Sequence, residues 1–137
     1  MNCKRILLGG LVAGVAMNAV GAAINVGVLG GRYQAMQERG YFLSEPRLPF
    51  MLLNPLLIFA IGVLLAWLYA AARPRLGPGP KTALCVGLAV AVIAAVPGNF
   101  AAASWSAVGR FMPLFWMIDQ GTQCVLGTLI AAALYKE

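Results

Sequence analysis

The chain has 137 residues, of which 61% are hydrophobic and 10% are charged, and its mean hydropathy is +0.84. A soluble domain carries about 25% charged residues, so the composition excludes an ordinary soluble protein, and the length leaves no room for a separate soluble domain beside membrane spans. The 10 Lys and Arg residues outnumber the 4 acids, which in a membrane protein reports topology and contact with anionic lipid rather than nucleic-acid binding.

The residue types that perform common enzymatic chemistry are absent or isolated. The chain has no histidine, and histidine is the most frequent general base and a frequent metal and haem ligand. The cysteines Cys3, Cys85 and Cys124 show no CxxC spacing, which disfavours a disulfide framework or a zinc site. No G-x-S-x-G or P-loop pattern occurs. We therefore predict a non-enzymatic protein without a cofactor or metal.

The first predicted span follows Lys4-Arg5 and runs from Ile6 to about Gly30, long enough to cross the hydrocarbon core of a bilayer. Small and amide residues recur in it at steps of three or four and share one helix face: Gly10, Gly14, Asn18, Gly21 and Asn25. Small residues allow a neighbouring backbone to approach, and asparagines can hydrogen-bond across the contact. We predict that Gly10, Gly14, Asn18 and Gly21 form a helix-packing seam, with a ligand groove as the alternative.

The longest connection covers residues 31–49. Its Arg32–Arg39 part can form two helical turns with Tyr33, Met36 and Gln37 on one side. This pattern predicts a short helix at the membrane interface. A connection of this length in a small protein is also suited to a partner-binding or lid role.

The second and third spans are predicted at about Phe50–Ala72 and Thr82–Ala103. Between them, Arg73–Lys81 is a basic segment rich in proline and glycine, which divides the chain into two helical hairpins. Near the end of the third span, Pro97-Gly98-Asn99 predicts a kink or unwinding of the helix.

The fourth span, Phe111–Tyr135, contains Asp119, the only acid inside a hydrophobic segment. A charged side chain at membrane depth costs a few kcal/mol and is by default a functional-site hypothesis. The first three spans also carry an asparagine, Asn25, Asn54 or Asn99, about 6 Å from the same end. Because polar groups in hydrocarbon need partners, these side chains are expected to point towards one another.

We accordingly predict one polar cluster formed by six side chains: Asn25, Asn54, Asn99, Asp119, Gln120 and Gln123. Arg110 or Arg47 could supply a counter-charge to Asp119. Two interpretations stay open. In the first, the cluster is interhelical hydrogen bonding that holds the bundle together; in the second, it lines a cavity that binds a polar head group, quinone or cation.

The basic residues predict the orientation of the chain in the membrane. Lys4, Arg5, Arg73, Arg75, Lys81 and Lys136 fall on the side of the termini, and Arg32, Arg39, Arg47 and Arg110 fall on the other. Because basic residues favour the cytoplasmic side, both termini are predicted to be cytoplasmic.

Two segments carry a resemblance, Gly9–Gly14 in the first span and Arg75–Ala83 in the connector between hairpins. With them the chain resembles a group of small, uncharacterised four-span bacterial inner-membrane proteins. The resemblance implies a location in the bacterial inner membrane. It implies no catalytic residue, since no activity is assigned to that group.

The predicted fold is an all-α integral membrane four-helix bundle of two antiparallel hairpins, a single domain over residues 1–137, with an interfacial helix in the first outer loop. The predicted function is that of an accessory or scaffold subunit of a larger membrane complex or homo-oligomer. Its partners are membrane lipids and a membrane protein or a second copy of the chain, and not nucleic acid. The alternative is a small transporter, channel or binder of lipid or quinone head groups that uses the cluster around Asp119.

Overall fold

The computed structural model describes residues 2–135, which form helices and no strand. The five α-helices are α1 Cys3–Ala22, α2 Gly30–Glu38, α3 Phe50–Leu76, α4 Pro80–Trp105 and α5 Phe111–Leu134. A π-helical segment, Ala23–Val28, continues α1. Including that segment, the four long helices extend over 24 to 27 residues and are apolar enough to cross a membrane. The predictions of an all-α fold and four candidate spans are therefore confirmed, and the helices indicate a multi-pass membrane protein.

Helix ends follow local capping chemistry. The Asn2 side chain accepts a hydrogen bond from the Arg5 amide and starts α1. Helix α3 continues four residues past the predicted end at Ala72 and stops at Gly77, whose φ of 85° ordinary residues rarely adopt. Pro80 then begins α4 at a position where its missing N–H costs little.

The predicted unwinding at Pro97-Gly98-Asn99 is wrong, because α4 continues through these residues to Trp105. A proline removes one backbone hydrogen bond, whereas unwinding would leave several unpaired groups in a segment with no water to satisfy them. The Asn99 side chain also donates to the Ala95 carbonyl, 2.7 Å away, within the same stretch.

Helices α1 and α3 pack together at glycines. A Cβ atom at Gly14 would lie 2.5 Å from the Phe59 ring and 2.9 Å from the Phe59 Cα, and one at Gly10 would overlap the Val63 backbone. From the other side, a Cβ at Gly62 would lie 2.5 Å from the Gly10 carbonyl oxygen. The two backbones can approach this closely only because no side chain stands between them.

The hydrophobic core occupies the end of the bundle that holds the start of α1 and the end of α5. Its buried members come from all four long helices: Ile6, Ala13, Ala66, Tyr69, Ala70, Ala83, Ala131 and Tyr135. Helices α3 and α4 meet in this core at the turn that joins them, where the Tyr69 hydroxyl accepts a hydrogen bond from the Gly79 amide. At the opposite end of the bundle the four helices line an open cleft.

Candidate functional site

A cleft of about 990 Å³ is lined by α1, α3, α4 and α5. Its lining is mostly apolar, and polar side chains from α1 and α5 converge in it. Ile61 and Leu64 lie near the middle of α3, line the cleft and remain exposed. The cleft therefore opens on the flank of the bundle, where a spanning helix would face the hydrocarbon of a bilayer.

Asp119 lies on the cleft and is only 6% exposed. Its two carboxylate oxygens accept separate hydrogen bonds, Oδ2 from the Asn25 amide and Oδ1 from the Gln123 amide, each at 2.8 Å. Gln123 follows Asp119 by one turn of α5, whereas Asn25 reaches it from the π-helical segment after α1. Two neutral donors thus hold a buried carboxylate.

Asn25 belongs to a wider chain of hydrogen bonds that reaches α2. The Trp116 indole N–H donates to the Tyr33 hydroxyl at 2.6 Å, and that hydroxyl donates to Asn25 Oδ1 at 2.9 Å. Indole nitrogen can only donate, so the Tyr33 proton is directed to Asn25 Oδ1. The Asn25 amide nitrogen donates both to Asp119 Oδ2 and to the Gly21 carbonyl, the latter at 2.9 Å. The chain of hydrogen bonds therefore connects α2 to the Asp119 carboxylate through Asn25.

The backbone around Asn25 is shaped for this contact. The Leu29 amide donates to the Ile24 carbonyl, five residues earlier, in the widened turn of a π-helix. Such single turns alter the direction of side chains and occur often at functional sites. One turn before Asn25, Gly21 leaves space for the Gln123 amide, since a Cβ there would lie 2.8 Å from Gln123 Nε2.

The remaining members of the predicted cluster do not bond to Asp119, although Asn54 and Gln120 line the same cleft. Asn99 is buried and donates to Gln120 Oε1 at 3.0 Å, which links α4 to an exposed side chain of α5 as a separate pair. The structure thus brings Asn25, Asp119 and Gln123 together and keeps Asn99 with Gln120 apart from them.

Asn54 lines the cleft but remains exposed, and it forms no side-chain hydrogen bond within residues 2–135. The expectation that it joins the cluster is corrected by the packing of α3. The next residue, Pro55, faces α1, where its carbonyl accepts from the Asn18 amide at 3.3 Å. Adjacent helix positions are about 100° apart, so Asn54 is turned away from the α1 contact and towards the opening.

The expected counter-charge from Arg110 or Arg47 is also corrected, because Asp119 has no ion pair in the described part of the chain. Arg110 stands nine residues before Asp119, about 13 Å along the helix, which is too far for its side chain. Arg47 is exposed and lines neither this cleft nor the cavity beside it. The amides of Asn25 and Gln123 take the place that was assigned to an arginine.

The seam residues predicted in α1 divide between two contacts. Gly10 and Gly14 lie against α3, and Asn18 joins that contact through its bond to Pro55 and a second bond to the Gly14 carbonyl at 2.9 Å. Gly21 lies against Gln123 of α5 and lines the cleft. The face therefore packs against α3 along one part and borders the cleft along the other.

Three aromatic residues of the site were missed by the sequence interpretation. Tyr33 and Trp116 form the hydrogen-bond chain, and the Phe42 ring lies 5.5 Å from the Tyr33 ring and 6.3 Å from the Trp116 ring. Burial raises the pKa of the Tyr33 phenol, the Trp116 hydrogen bond opposes this, and the negative charge of Asp119 adds to it. A signal existed for Trp116, which precedes Asp119 by one helical turn and so shares its face.

The site offers one carboxylate, amide groups and apolar walls. No group of three His, Cys, Asp or Glu side chains comes together within residues 2–135. Asp119 can accept hydrogen bonds from a bound molecule or interact with its positive charge, while the apolar walls of the cleft contact the apolar part of that molecule. No family model, curated protein sequence or solved structure matches the chain.

Proposed function

We propose that the protein is a non-enzymatic multi-pass membrane protein that binds one amphiphilic small molecule in the cleft. The polar head of that molecule lies against Asp119, and its apolar part lies along α3 and α4. One observation carries the proposal: a buried carboxylate, held only by neutral amides, borders a cleft that is otherwise apolar and open on the flank of the bundle.

The electrostatics of Asp119 favour a ligand over a purely structural role. A carboxylate has about four lone-pair positions, and two of them are occupied by the amides of Asn25 and Gln123. Interhelical packing alone is served by neutral pairs such as Asn99 with Gln120. A charge at this depth costs several kcal/mol, and a ligand head group that donates to Asp119 would offset that cost.

The size and walls of the cleft fit a molecule with an apolar body. Ligand sites commonly enclose about 300–1,000 Å³ and combine apolar walls with a few polar groups. Here Ile58 and Leu68 of α3 and Val90 of α4 supply walls, while Asp119 supplies a polar contact. At the flank opening, the apolar part of the ligand would lie towards the hydrocarbon.

The accessory or scaffold function stays as the second proposal, and α3 favours it. Only five of its 27 residues are buried: Gly62, Leu65, Ala66, Tyr69 and Ala70. A helix of a larger membrane partner, or a second copy, could cover that face and the cleft together.

For the membrane placement we propose two antiparallel hairpins, α1 with α3 and α4 with α5, in the bacterial inner membrane. Both termini are cytoplasmic, since the basic residues favour that side, and α2 lies at the outer interface. In support, the beginning of α1 lies beside the end of α5, where the Tyr135 hydroxyl accepts from the Asn2 amide at 3.2 Å.

The test is native mass spectrometry of the protein extracted from its own membranes in mild detergent. The expected result is one retained small amphiphile in the wild type, its loss in Asp119→Asn, and its retention in Asn99→Ala. The control also removes an interhelical hydrogen bond, but Asn99 does not line the cleft. A stoichiometric larger protein without any small molecule would refute ligand binding and support the accessory subunit.

A further inference from the structure

We propose that the ligand is a lipophilic organic cation, such as an alkylammonium compound, and that it approaches Asp119 through a second cavity beneath the 39–49 segment. This inference rests on the proposed function and adds the charge of the ligand and its route. It is carried by the distribution of charged and aromatic side chains around two adjoining cavities.

The second cavity has a volume of about 900 Å³ and lies against α2 and the segment that follows it. It shares Asn25, Val26 and Met51 with the first cleft, so the two spaces adjoin at the side chain that donates to Asp119. Its other lining residues are Tyr33, Gln37, Tyr41, Phe42, Leu43, Glu45 and Pro46. This junction is the proposed route from the α2 side of the protein to the Asp119 carboxylate.

The charges along this route are all negative. The chain has 4 acids and 10 bases and a net charge of +6, yet two of the acids, Glu45 and Asp119, line the two cavities. No Lys or Arg within residues 2–135 lines either one. A cavity lined by charges of one sign attracts ligands of the opposite sign, so this lining favours a cation over an anion. A zwitterion is also disfavoured, because the lining has no basic side chain to pair with its acidic group.

Aromatic rings surround the junction of the two cavities. Tyr33 and Phe42 line the second cavity, Trp116 lines the first, and their rings form a contiguous group. Aromatic faces attract ammonium groups, most strongly when the cation is desolvated. A cation that leaves the exposed Glu45 therefore meets aromatic rings before it reaches the buried Asp119.

The same features disfavour an inorganic cation. Calcium takes about six to eight oxygen ligands and magnesium needs near-octahedral oxygen coordination, whereas Asp119 is the only carboxylate within residues 2–135 that lines the first cleft. Apolar walls along α3 and α4 instead suit the alkyl or aryl body of an organic cation.

The experiment measures binding to the full chain in phosphatidylcholine nanodiscs by isothermal titration calorimetry. The probes are dodecylammonium, dodecanol and dodecyl sulfate, which share an alkyl chain and differ in head-group charge. We expect saturable binding of the cation, at least about tenfold tighter than the other probes, since contacts with a charged group in a low-dielectric site are worth about a power of ten.

Variants of single acidic residues test which side chains interact with the cation. Asp119→Asn should lose about tenfold or more in affinity for the cation, and Glu45→Gln should lose about two- to fivefold, an effect that added salt reduces because Glu45 is exposed. Glu38→Gln is the matched control, since it removes the same charge from α2 but lines neither cavity. If Asp119→Asn fails to fold, the cation inference is tested by the affinity of Glu45→Gln and by the preference of the wild type among the three probes.

Equal binding of dodecanol and the cation, with no effect of either variant, would overturn the cation inference and leave amphiphile binding intact. Tighter binding of dodecyl sulfate would overturn it as well. Absence of saturable binding for every probe would refute the proposed function together with this inference.

Discussion

The Tyr33 hydroxyl is the link between α2 and the Asp119 site, and Tyr33→Phe removes it while keeping the ring against Phe42. Two hydrogen bonds disappear: Trp116 Nε1 loses its acceptor and Asn25 Oδ1 loses its donor. The Asn25 amide nitrogen keeps its bonds to Asp119 and to the Gly21 carbonyl, so the loss falls on the contact that holds α2 to the bundle. We therefore expect α2 to detach more readily from the bundle.

The magnitude follows from the two bonds. A hydrogen bond contributes about 0.5–1.5 kcal/mol net, and interhelical bonds in membranes average about 0.6 kcal/mol. Their loss should cost about 1–2 kcal/mol, which corresponds to an increase of about 5- to 30-fold in the opening equilibrium of α2. The cost is local, because the α1–α3 glycine contact lies elsewhere in the bundle.

Hydrogen–deuterium exchange of the α2 amides in nanodiscs measures this opening. The matched control is Tyr41→Phe, because Tyr41 lines the same cavity but its hydroxyl has no hydrogen-bond partner within residues 2–135. Exchange should accelerate in Tyr33→Phe and stay at the wild-type rate in the control. Equal exchange in both variants would refute the view that the hydroxyl holds α2 to the site.

Three further predictions test the fold and the placement. Gly10→Ala should destabilise the protein by about 1–3 kcal/mol in reversible detergent unfolding, because the new Cβ meets the Val63 backbone. The control is Gly98→Ala, whose new Cβ meets nothing within 4 Å. This control should be neutral or should stabilise the protein by up to about 1 kcal/mol. The pKa of Tyr33 is raised above 10, so the folded protein favours the neutral phenol. The stability that this phenol adds to the α2 contact should be intact below pH 10 and lost as pH rises through the folded pKa. The loss should appear as an acceleration of α2 amide exchange that Tyr33→Phe does not show. A membrane-impermeant maleimide should label Cys3 only from the cytoplasmic side, and labelling from the outer side would reverse the proposed orientation.

The sequence predicts the long helices well, because continuous apolar segments of this length have few alternatives in a bilayer. It also predicts the helix contact at Gly10, Gly14 and Asn18, because the spacing of small residues can be read without knowing the partner helix. It fails for Asn54, because the direction of that side chain depends on how α3 is rotated. It also fails for the unwinding at Pro97, because unwound backbone finds no water to bond inside a membrane. Depth along a span can be read from the chain, but the direction in which a side chain points depends on the neighbouring helix.

The arginine expected beside Asp119 shows why the site itself was harder to predict than the fold. Charge pairing is the simplest way to hold a buried acid, and the sequence candidates for it are Arg110, the nearest base along the chain, and Arg47 of the long loop. The structure instead uses a π-helical turn to bring Asn25 to the carboxylate, and a turn of this kind leaves no pattern in residue spacing. A cation from the protein would also have filled the position that a ligand needs. Neutral amide donors orient the Asp119 oxygens and leave that position on the cleft. The feature that sequence patterns could not predict is therefore the one on which the proposed ligand binding depends.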